Sequence, residues 1–233
     1  EHLLELAKTR IELAEKKFEQ FKINKFKRFL LRKLLFSVYG FQKNSLSANA
    51  SLAIASREQN IISTATIFTL FGFNWFKSLS LSQEIFDEVD IFLSIQKDHT
   101  QRQKNLISGA LDLLISLKNK NVFIALMTND TQAGIEEFIC SNNLEGIFDY
   151  SWSVENKPAK PNPEAVIELC KKINLNPSEC ALISDADTDL RMAKKADIQT
   201  VIGFTGGWKN PPNLTETKYL VEKLNELKIH STP

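Results

Sequence analysis

The chain is organised around one stretch, Ala181-Leu182-Ile183-Ser184-Asp185-Ala186-Asp187-Thr188-Asp189-Leu190-Arg191. Its first four residues are mostly apolar and predict a buried strand, and the residues from Leu190 onwards have the spacing of an amphipathic helix. Three carboxylates, two residues apart, lie between strand and helix. Ligands of parallel α/β sheets bind at the carboxyl ends of the strands, so these acids are placed to hold a cation or to act in acid/base chemistry. The alternative is that Asp185 or Asp187 only caps the helix and the other acids are solvated.

Helices and short apolar strands alternate on both sides of this stretch, from about residue 104 onwards. Strands are predicted at 122–127, 147–154, 181–184 and 200–204, and helices around 106–117, 135–139, after Asn162-Pro163, after Asp189, and at 219–227. This alternation is typical of an α/β protein with a Rossmann-like parallel sheet and helices on both faces. Residues 104–233 are therefore predicted to form an α/β core domain.

The first part of the chain, residues 1–103, shows helical periodicity instead. An apolar stripe at alternating spacings of three and four predicts a long first helix: Leu4, Ala7, Ile11, Ala14, Phe18 and Phe21. Gly40 and Gly72 are predicted to end helices, and residues 43–60, rich in Ser, Asn and Ala, to form a loop or mobile connection. No stretch alternates long enough to predict a strand, so the sequence predicts an all-helical domain.

One segment of this helical part is strongly basic. Eight Lys or Arg and a single Glu lie between Lys16 and Lys33, although the whole chain has a net charge of only +1. Such a segment is most simply the solvated face of an amphipathic helix. The functional alternative is attraction of an anionic substrate or a nucleic-acid backbone, and binding of that kind would weaken steeply with salt.

Composition limits the class of protein. The 233 residues are 43% hydrophobic and 24% charged, as in globular proteins, and the three cysteines lack the spacing of a disulfide framework or zinc site. The most apolar stretch, Ile61 to Phe76, has 16 residues and several polar ones, whereas a bilayer span needs about 20 apolar residues. We therefore expect a soluble, cytoplasmic protein with reduced thiols and no membrane partner.

The ends of the predicted strands carry a consistent set of polar groups. Thr128-Asn129 follows one strand, Lys160 lies in a Lys-Pro-Asn-Pro loop, and Asp185 and Asp189 follow another strand. A hydroxyl group, an ammonium group and two carboxylates would make a phosphate site, with the acids holding a magnesium ion.

The order and the spacing of these groups resemble the core domain of the haloacid dehalogenase superfamily, in its phosphoglycolate phosphatase-like branch. The resemblance covers about residues 106–208 and includes Gly109 and the turn Thr205-Gly206-Gly207-Trp208. The second motif is matched by Thr128-Asn129, the third by Lys160, and the fourth by Asp185 and Asp189, with spacings of 32 and 25 residues. Two residues depart from the usual fourth motif, namely Ser184 in place of Gly and Ala186 in place of Ser. Lys157-Pro158 is a competing, weaker match to the third motif.

The resemblance implies a Mg²⁺-dependent phosphohydrolase acting on a small phosphorylated substrate. It implies that Thr128 bonds the phosphoryl group, that Asn129 helps to position it and that Lys160 neutralises its charge. Asp185 would hold Mg²⁺, and Asp189 would do so directly or by positioning Asp185. The reaction implied is in-line transfer of the phosphoryl group to an aspartate, followed by hydrolysis of the aspartyl-phosphate. Residues 1–103 would be the helical cap domain that closes over the site and selects the substrate.

One motif of the superfamily is missing from this sequence. The nucleophile and its acid/base partner lie in relatives in an Asp-x-Asp-x-Thr motif after the first strand, and Glu1-His2 begins directly in the helix that follows it. One interpretation is a chain that has lost this strand by truncation, which we favour because a gap in a parallel sheet exposes two strand edges. The other is an inactive relative that binds a phosphorylated ligand, a nucleic acid or a protein.

Other classes of function fit less well. A calcium-binding EF-hand is excluded because Leu190 and Ala196 occupy the positions that need Gly and Glu. Nucleic-acid binding through the basic segment is the second hypothesis, and we do not expect it to be the main function. Within the superfamily a dehalogenase is disfavoured because the Asp185/Asp189 pair suits a metal, whereas mutase and phosphonatase activities stay open. The three histidines are given no role.

Overall fold

The structure is a computed structural model that describes residues 2–43, 45–96 and 106–229. The chain divides into two compact units, Glu1–Arg102 and Gln103–Pro233. None of the described helices has the length and apolarity that a membrane span requires.

The first unit is mainly helical. Its helices are α1 (His2–Glu19), α2 (Lys25–Tyr39), α3 (Ser51–Ile54), α4 (Arg57–Thr69) and α5 (Trp75–Gln96). The predicted stripe of α1 is confirmed from Ala7 to Phe18, where its residues are fully buried. It fails at Phe21, which is 42% exposed because α1 ends at Glu19 and the chain turns.

Two predictions for this unit are wrong. It is not all-helical, because β1 (Phe41–Gln42) and β2 (Ser45–Leu46) form a small antiparallel hairpin whose strands are too short for sequence alternation to reveal. The region 43–60 is also not a mere connection, since it contains α3, the start of α4 and a buried Leu52. Gly40 does end α2 as predicted; its φ is 76°, and a Cβ there would lie 1.9 Å from the Cβ of Ala50.

The second unit alternates helices and strands. Its helices are α6 (Ala110–Asn119), α7 (Gln132–Ser141), α8 (Pro163–Lys172) and α9 (Asp187–Lys195). Its strands are β3 (Ala125–Met127), β4 (Tyr150–Trp152), β5 (Ala181–Ser184), β6 (Thr200–Phe204) and β7 (Leu220–Val221). The start of α8 is confirmed in detail, because the Asn162 side chain accepts a hydrogen bond from the Glu164 amide and Pro163 is the first helical residue.

The prediction of a last helix at 219–227 is wrong. Leu220–Val221 forms β7, which pairs with β6, and Leu224–Glu226 forms only a single 3₁₀ turn. The amide of Gly203 donates to the carbonyl of Tyr219, and the amide of Thr205 donates to the carbonyl of Val221. Pairing with a neighbouring strand therefore overrides the helical spacing of the apolar residues.

All sheet pairing among the described residues of this unit is parallel, which confirms the predicted α/β class. The described strands form two sheets, β3–β4 and β5–β6–β7. Within the part of the chain that the structure describes, β3 pairs only with β4, and β5 pairs with no strand other than β6. Each of these two strands therefore has one open edge.

The open edges coincide with exposed apolar surface. Ile183 in β5 is 41% exposed, which is unusual for a strand of a parallel sheet. Helix α6 of the same unit has no buried residue, and its Leu111 and Ile115 are 41% and 42% exposed.

Two apolar clusters join the helices to the two sheets. One contains Val166 of α8, Leu190 and Met192 of α9, and Val201 of β6. The other contains Trp152 of β4 together with Ala165 and Leu169 of α8. Helix α8 therefore packs on both clusters, and Met127, the last residue of β3, contacts both as well.

Candidate functional site

The candidate site begins with an ion pair between two elements that are distant in sequence. The Nζ of Lys160 lies 2.6 Å from Oδ2 of Asp189, and each side chain is only 12% exposed. Lys160 precedes α8, whereas Asp189 lies in the first turn of α9. Two opposite charges at this distance and depth interact more strongly than a surface pair.

Further hydrogen bonds attach this ion pair to both sheets. Ser184, the last residue of β5, donates from its hydroxyl to Oδ2 of Asp189 at 2.9 Å and accepts from the Ala186 amide at 3.2 Å. Lys160 also reaches the carbonyl of Met127, at the end of β3, at 3.4 Å. The carboxyl ends of β3 and β5, which belong to different sheets, therefore meet at one charged cluster.

Asp185 is positioned by an aromatic residue. The indole Nε1 of Trp208 donates to Oδ2 of Asp185 at 2.6 Å. The turn before Trp208 needs glycine, since a Cβ on Gly206 would lie 1.9 Å from the carbonyl oxygen of Glu222. Sequence analysis noted this turn but did not assign Trp208 a role. No spacing rule connects an indole to a carboxylate 23 residues away.

The third acid of the stretch, Asp187, is engaged elsewhere. Its carboxylate accepts from the Thr215 amide at 2.9 Å, from the Thr215 hydroxyl at 2.8 Å and from the Glu216 amide at 3.1 Å. Burial by itself would raise the pKa of Asp187, but the Thr215 and Glu216 amides outweigh it and lower the pKa below its usual value. Asp187 therefore anchors the 215–216 loop.

Thr128 and Asn129 directly follow β3. The Thr128 amide donates to the carbonyl of Trp152 at 2.9 Å, which extends the β3–β4 ladder by one residue. Its hydroxyl accepts from the Asp130 amide at 3.1 Å. The hydroxyl oxygen is therefore fixed at the strand end, where it can donate its proton to a ligand.

The structure distinguishes the two lysines that compete for the third motif. Lys157 is exposed and donates to the carbonyl of Val154 at 3.2 Å, within its own turn. Lys160 is the lysine that joins Asp189 and the end of β3.

The chemistry of the acids suits a hard divalent cation. Two carboxylates, those of Asp185 and Asp189, are available as oxygen ligands. A larger group, of three or more His, Cys, Asp or Glu that could hold a metal, does not occur among the described residues. Mg²⁺ is commonly held by one or two carboxylates, with water and substrate phosphate completing its shell. Because Asp189 already binds Lys160 and Ser184, Asp185 is the better placed of the two as a direct ligand.

The fold and the site together define an α/β protein with a cluster of charged side chains at the carboxyl ends of parallel strands. The family model of the haloacid dehalogenase-like hydrolases matches residues 47–202, which is most of the chain. The chain therefore belongs to this family, and its similarity to relatives supports the phosphoglycolate phosphatase-like branch.

Individual relatives are distant. The phosphoglycolate phosphatase of Colwellia psychrerythraea is 24% identical over 146 residues, which are 61% of this chain and 64% of the relative. The (S)-2-haloacid dehalogenase 4A of Burkholderia cepacia is 27% identical over 121 residues, which are 51% of this chain and 52% of the relative. The chain thus spans less than two thirds of the length of either relative.

A solved structure supports the fold. The crystal structure of a predicted phosphoglycolate phosphatase from Haemophilus somnus has a TM-score of 0.60 and 15% identity, and the match covers 84% of this chain and 86% of that one. At this identity the likeness shows the fold alone.

Proposed function

We propose that this protein is a Mg²⁺-dependent phosphohydrolase that removes the phosphoryl group of a small phosphorylated metabolite through an aspartyl-phosphate. The observation that carries the proposal is the 2.6 Å contact between Lys160 and Asp189. This contact brings together the lysine, one of the two fourth-motif acids and, through the Met127 carbonyl, the end of β3 that precedes Thr128.

Each residue has a definite task in this reaction. The Thr128 hydroxyl and the Asn129 amide group donate to phosphoryl oxygens, and the Lys160 ammonium balances their negative charge. Asp189 holds the lysine in place, and Trp208 orients the Asp185 carboxylate. Asp185 would hold Mg²⁺, which when bound supplies Lewis-acid polarisation of the phosphoryl oxygens.

The nucleophilic aspartate is proposed to lie on an additional strand between β3 and β5. Both strands have an open edge, and the apolar side chain of Ile183 in β5 is 41% exposed. A parallel strand inserted there would pair on both sides and cover apolar surface. Its carboxyl end would then lie beside Thr128, Lys160 and Asp185, where an aspartate could attack the phosphorus in line.

The main alternative within the family is dehalogenation, which is the activity given in the name of one relative. A dehalogenase needs no metal, and the pair of strand-end carboxylates, one of them free of the ion pair with Lys160, favours the phosphohydrolase. The helical first unit, as the cap domain that selects the substrate, is part of the same proposal.

The test adds such a strand to the chain and measures phosphate release. The chain is extended at Glu1 by an apolar strand, Asp-x-Asp-x-Thr and about ten linking residues, and is assayed with a small phosphate monoester. We expect Mg²⁺-dependent hydrolysis that disappears when the first added Asp is changed to Asn, and also in the Asp185→Asn variant. Asp187→Asn is the matched control, since Asp187 anchors a loop, and it should keep most activity.

Two results would contradict the proposal. One is an extended, folded chain that releases no phosphate although its Asp185 binds Mg²⁺ in calorimetry. This result would support the alternative of a phosphate-binding protein without catalysis. The other is Mg²⁺ binding that Asp187→Asn abolishes and Asp185→Asn leaves unchanged.

A further inference from the structure

The first unit contains a repeated turn that the sequence analysis did not detect. The segments Phe21-Lys22-Ile23-Asn24-Lys25-Phe26-Lys27 and Phe71-Gly72-Phe73-Asn74-Trp75-Phe76-Lys77 share Phe, Asn, Phe and Lys at equivalent positions. Their backbones agree as well. The second residue of each is left-handed, with φ of 54° at Lys22 and 96° at Gly72.

The two turns end in the same way. The Asn24 side chain accepts from the Lys27 amide at 2.8 Å, and the Asn74 side chain accepts from the Lys77 amide at 2.9 Å. These caps begin α2 and α5, so each turn presents a Phe and a Lys from the first turn of a helix.

The two turns lie side by side. The rings of Phe21 and Phe73 are 4.8 Å apart, and Lys77 lies 6.0 Å from the Phe21 ring. Residues of both turns line one open depression of about 380 Å³: Phe21, Lys22, Ile23, Asn24, Lys27, Phe71, Gly72 and Phe73. We call the surface formed by residues 21–27 and 70–77 the double-turn surface.

The double-turn surface exposes large apolar side chains that a folded protein normally buries. Phe76 is 82% exposed, Phe26 is 71% exposed and Leu70 is 70% exposed. Trp75 and Phe21 are each 42% exposed. A cluster of this kind indicates an interaction site, since isolated exposed apolar residues are common but adjacent ones are not.

The charged residues of the double-turn surface are all basic. Lys22, Lys25, Lys27 and Lys77 belong to it, and no Asp or Glu occurs in residues 20–57 or 59–83. Among the described residues none of these four lysines lies within ion-pair distance of a carboxylate, although the charge of Lys77 contributes to lowering the pKa of Glu84. Arg28 and Arg32, by contrast, pair with Glu19 and Glu15.

We propose that the double-turn surface docks on the surface of an anionic phospholipid membrane. Phe26, Phe76 and Leu70 enter the boundary between headgroups and acyl chains, and the surrounding lysines bind anionic headgroups. The three most exposed apolar side chains include the aliphatic Leu70, which favours a bilayer over single-stranded nucleic acid, because bases stack on aromatic rings. This inference revises the expectation of no membrane partner and is independent of the phosphohydrolase activity.

The test is sedimentation of the full chain with vesicles. Vesicles of phosphatidylcholine with about one third phosphatidylserine, a composition chosen to make the surface anionic, are compared with pure phosphatidylcholine. We expect binding to the anionic vesicles only, weakening as salt is raised. Phe26→Ser with Phe76→Ser should weaken binding at least about tenfold. The matched control is Phe92→Ser, because Phe92 is an exposed residue of α5 that lies about 24 Å further along that helix.

The lysines are tested in the same assay. Lys27→Gln with Lys77→Gln should weaken binding about fivefold for each lysine removed. Lys8→Gln with Lys43→Gln makes the same charge change outside the double-turn surface and should have a much smaller effect. The proposal is overturned if the chain does not bind anionic vesicles, or if the double variant Phe26→Ser/Phe76→Ser binds them as the wild type does. It is also overturned if the chain binds a single-stranded oligonucleotide and no vesicles.

Discussion

Lys160 and Asp189 are 29 positions apart in sequence, yet their charged atoms lie 2.6 Å apart with both side chains 12% exposed. An ion pair at this depth is costly to break from one side, because the remaining charge loses its partner while staying out of water. Removal of one partner alone should therefore destabilise the second unit, apart from the proposed role of the pair in the site.

Lys160→Met is expected to lower the free energy of unfolding by about 2–3 kcal/mol. The double variant Lys160→Met/Asp189→Leu should recover part of this loss, since it leaves no unpaired buried charge. Urea unfolding at pH 7 measures both. Lys157→Met is the matched control and should change the free energy by less than about 0.5 kcal/mol, because Lys157 is exposed. Equal effects of the two single variants would contradict the assignment.

Asp187→Asn should change the acid stability of the second unit. The pKa of Asp187 is lowered in the folded protein, so its carboxylate contributes stability above the unfolded-state pKa of about 3.9, and this contribution is lost as pH falls through the folded-state pKa. The variant should lose about 1–2 kcal/mol at pH 7 and show a smaller further loss in acid. Unfolding measured from pH 7 to pH 3 tests this, and parallel curves for wild type and variant would refute it.

The buried Tyr39 side chain should make the stability of the first unit depend on pH in alkaline solution. Burial raises its pKa to about 12, and its hydroxyl hydrogen-bonds to Thr64 at 2.8 Å. Thr64 itself donates to the carbonyl of Asn60, so Tyr39 is the donor in this bond. Because the folded-state pKa lies above the unfolded value of about 10, its contribution is complete below pH 10 and is lost as pH rises towards 12.

The corresponding experiment compares Tyr39→Phe with the wild type. The variant should lose about 1 kcal/mol at pH 7, because a buried hydrogen bond is removed. Between pH 10 and 12 the wild type should lose up to about 2–3 kcal/mol more than the variant. Chemical unfolding followed by circular dichroism at several pH values measures the difference, and an identical pH dependence would show that Tyr39 ionises as freely as in the unfolded chain.

The cysteines should differ sharply in reactivity. Cys170 is buried, and burial followed by the neighbouring Cys180 thiol, 3.9 Å away, raises its pKa to about 12. Cys140 is exposed. Since the thiolate is the reactive form, we expect N-ethylmaleimide to label Cys140 first and Cys170 at least about a thousandfold more slowly in the folded protein. Mass spectrometry of the labelled peptides checks this, and the difference should vanish in urea.

Much of the second unit could be predicted from local sequence. The start of α8 follows from Asn162-Pro163, and β5 follows from Ala181–Ser184, because capping and apolar strand patterns act within a few residues. The same local patterns failed at 219–227, where pairing with β6 decides the conformation. They also failed at the hairpin of β1 and β2, whose strands have only two residues each.

The sequence by itself determined the family of this protein and the residues that follow its strands, because strand, loop and helix signals and motif spacing are local properties of a chain. Only the tertiary structure decided which of these residues act together. It joined Lys160 rather than Lys157 to Asp189, turned Asp187 towards Thr215 and brought Trp208 to Asp185. It also placed the two turns of the double-turn surface side by side. Contacts of this kind depend on how distant segments pack, and no spacing rule within a single segment contains that information.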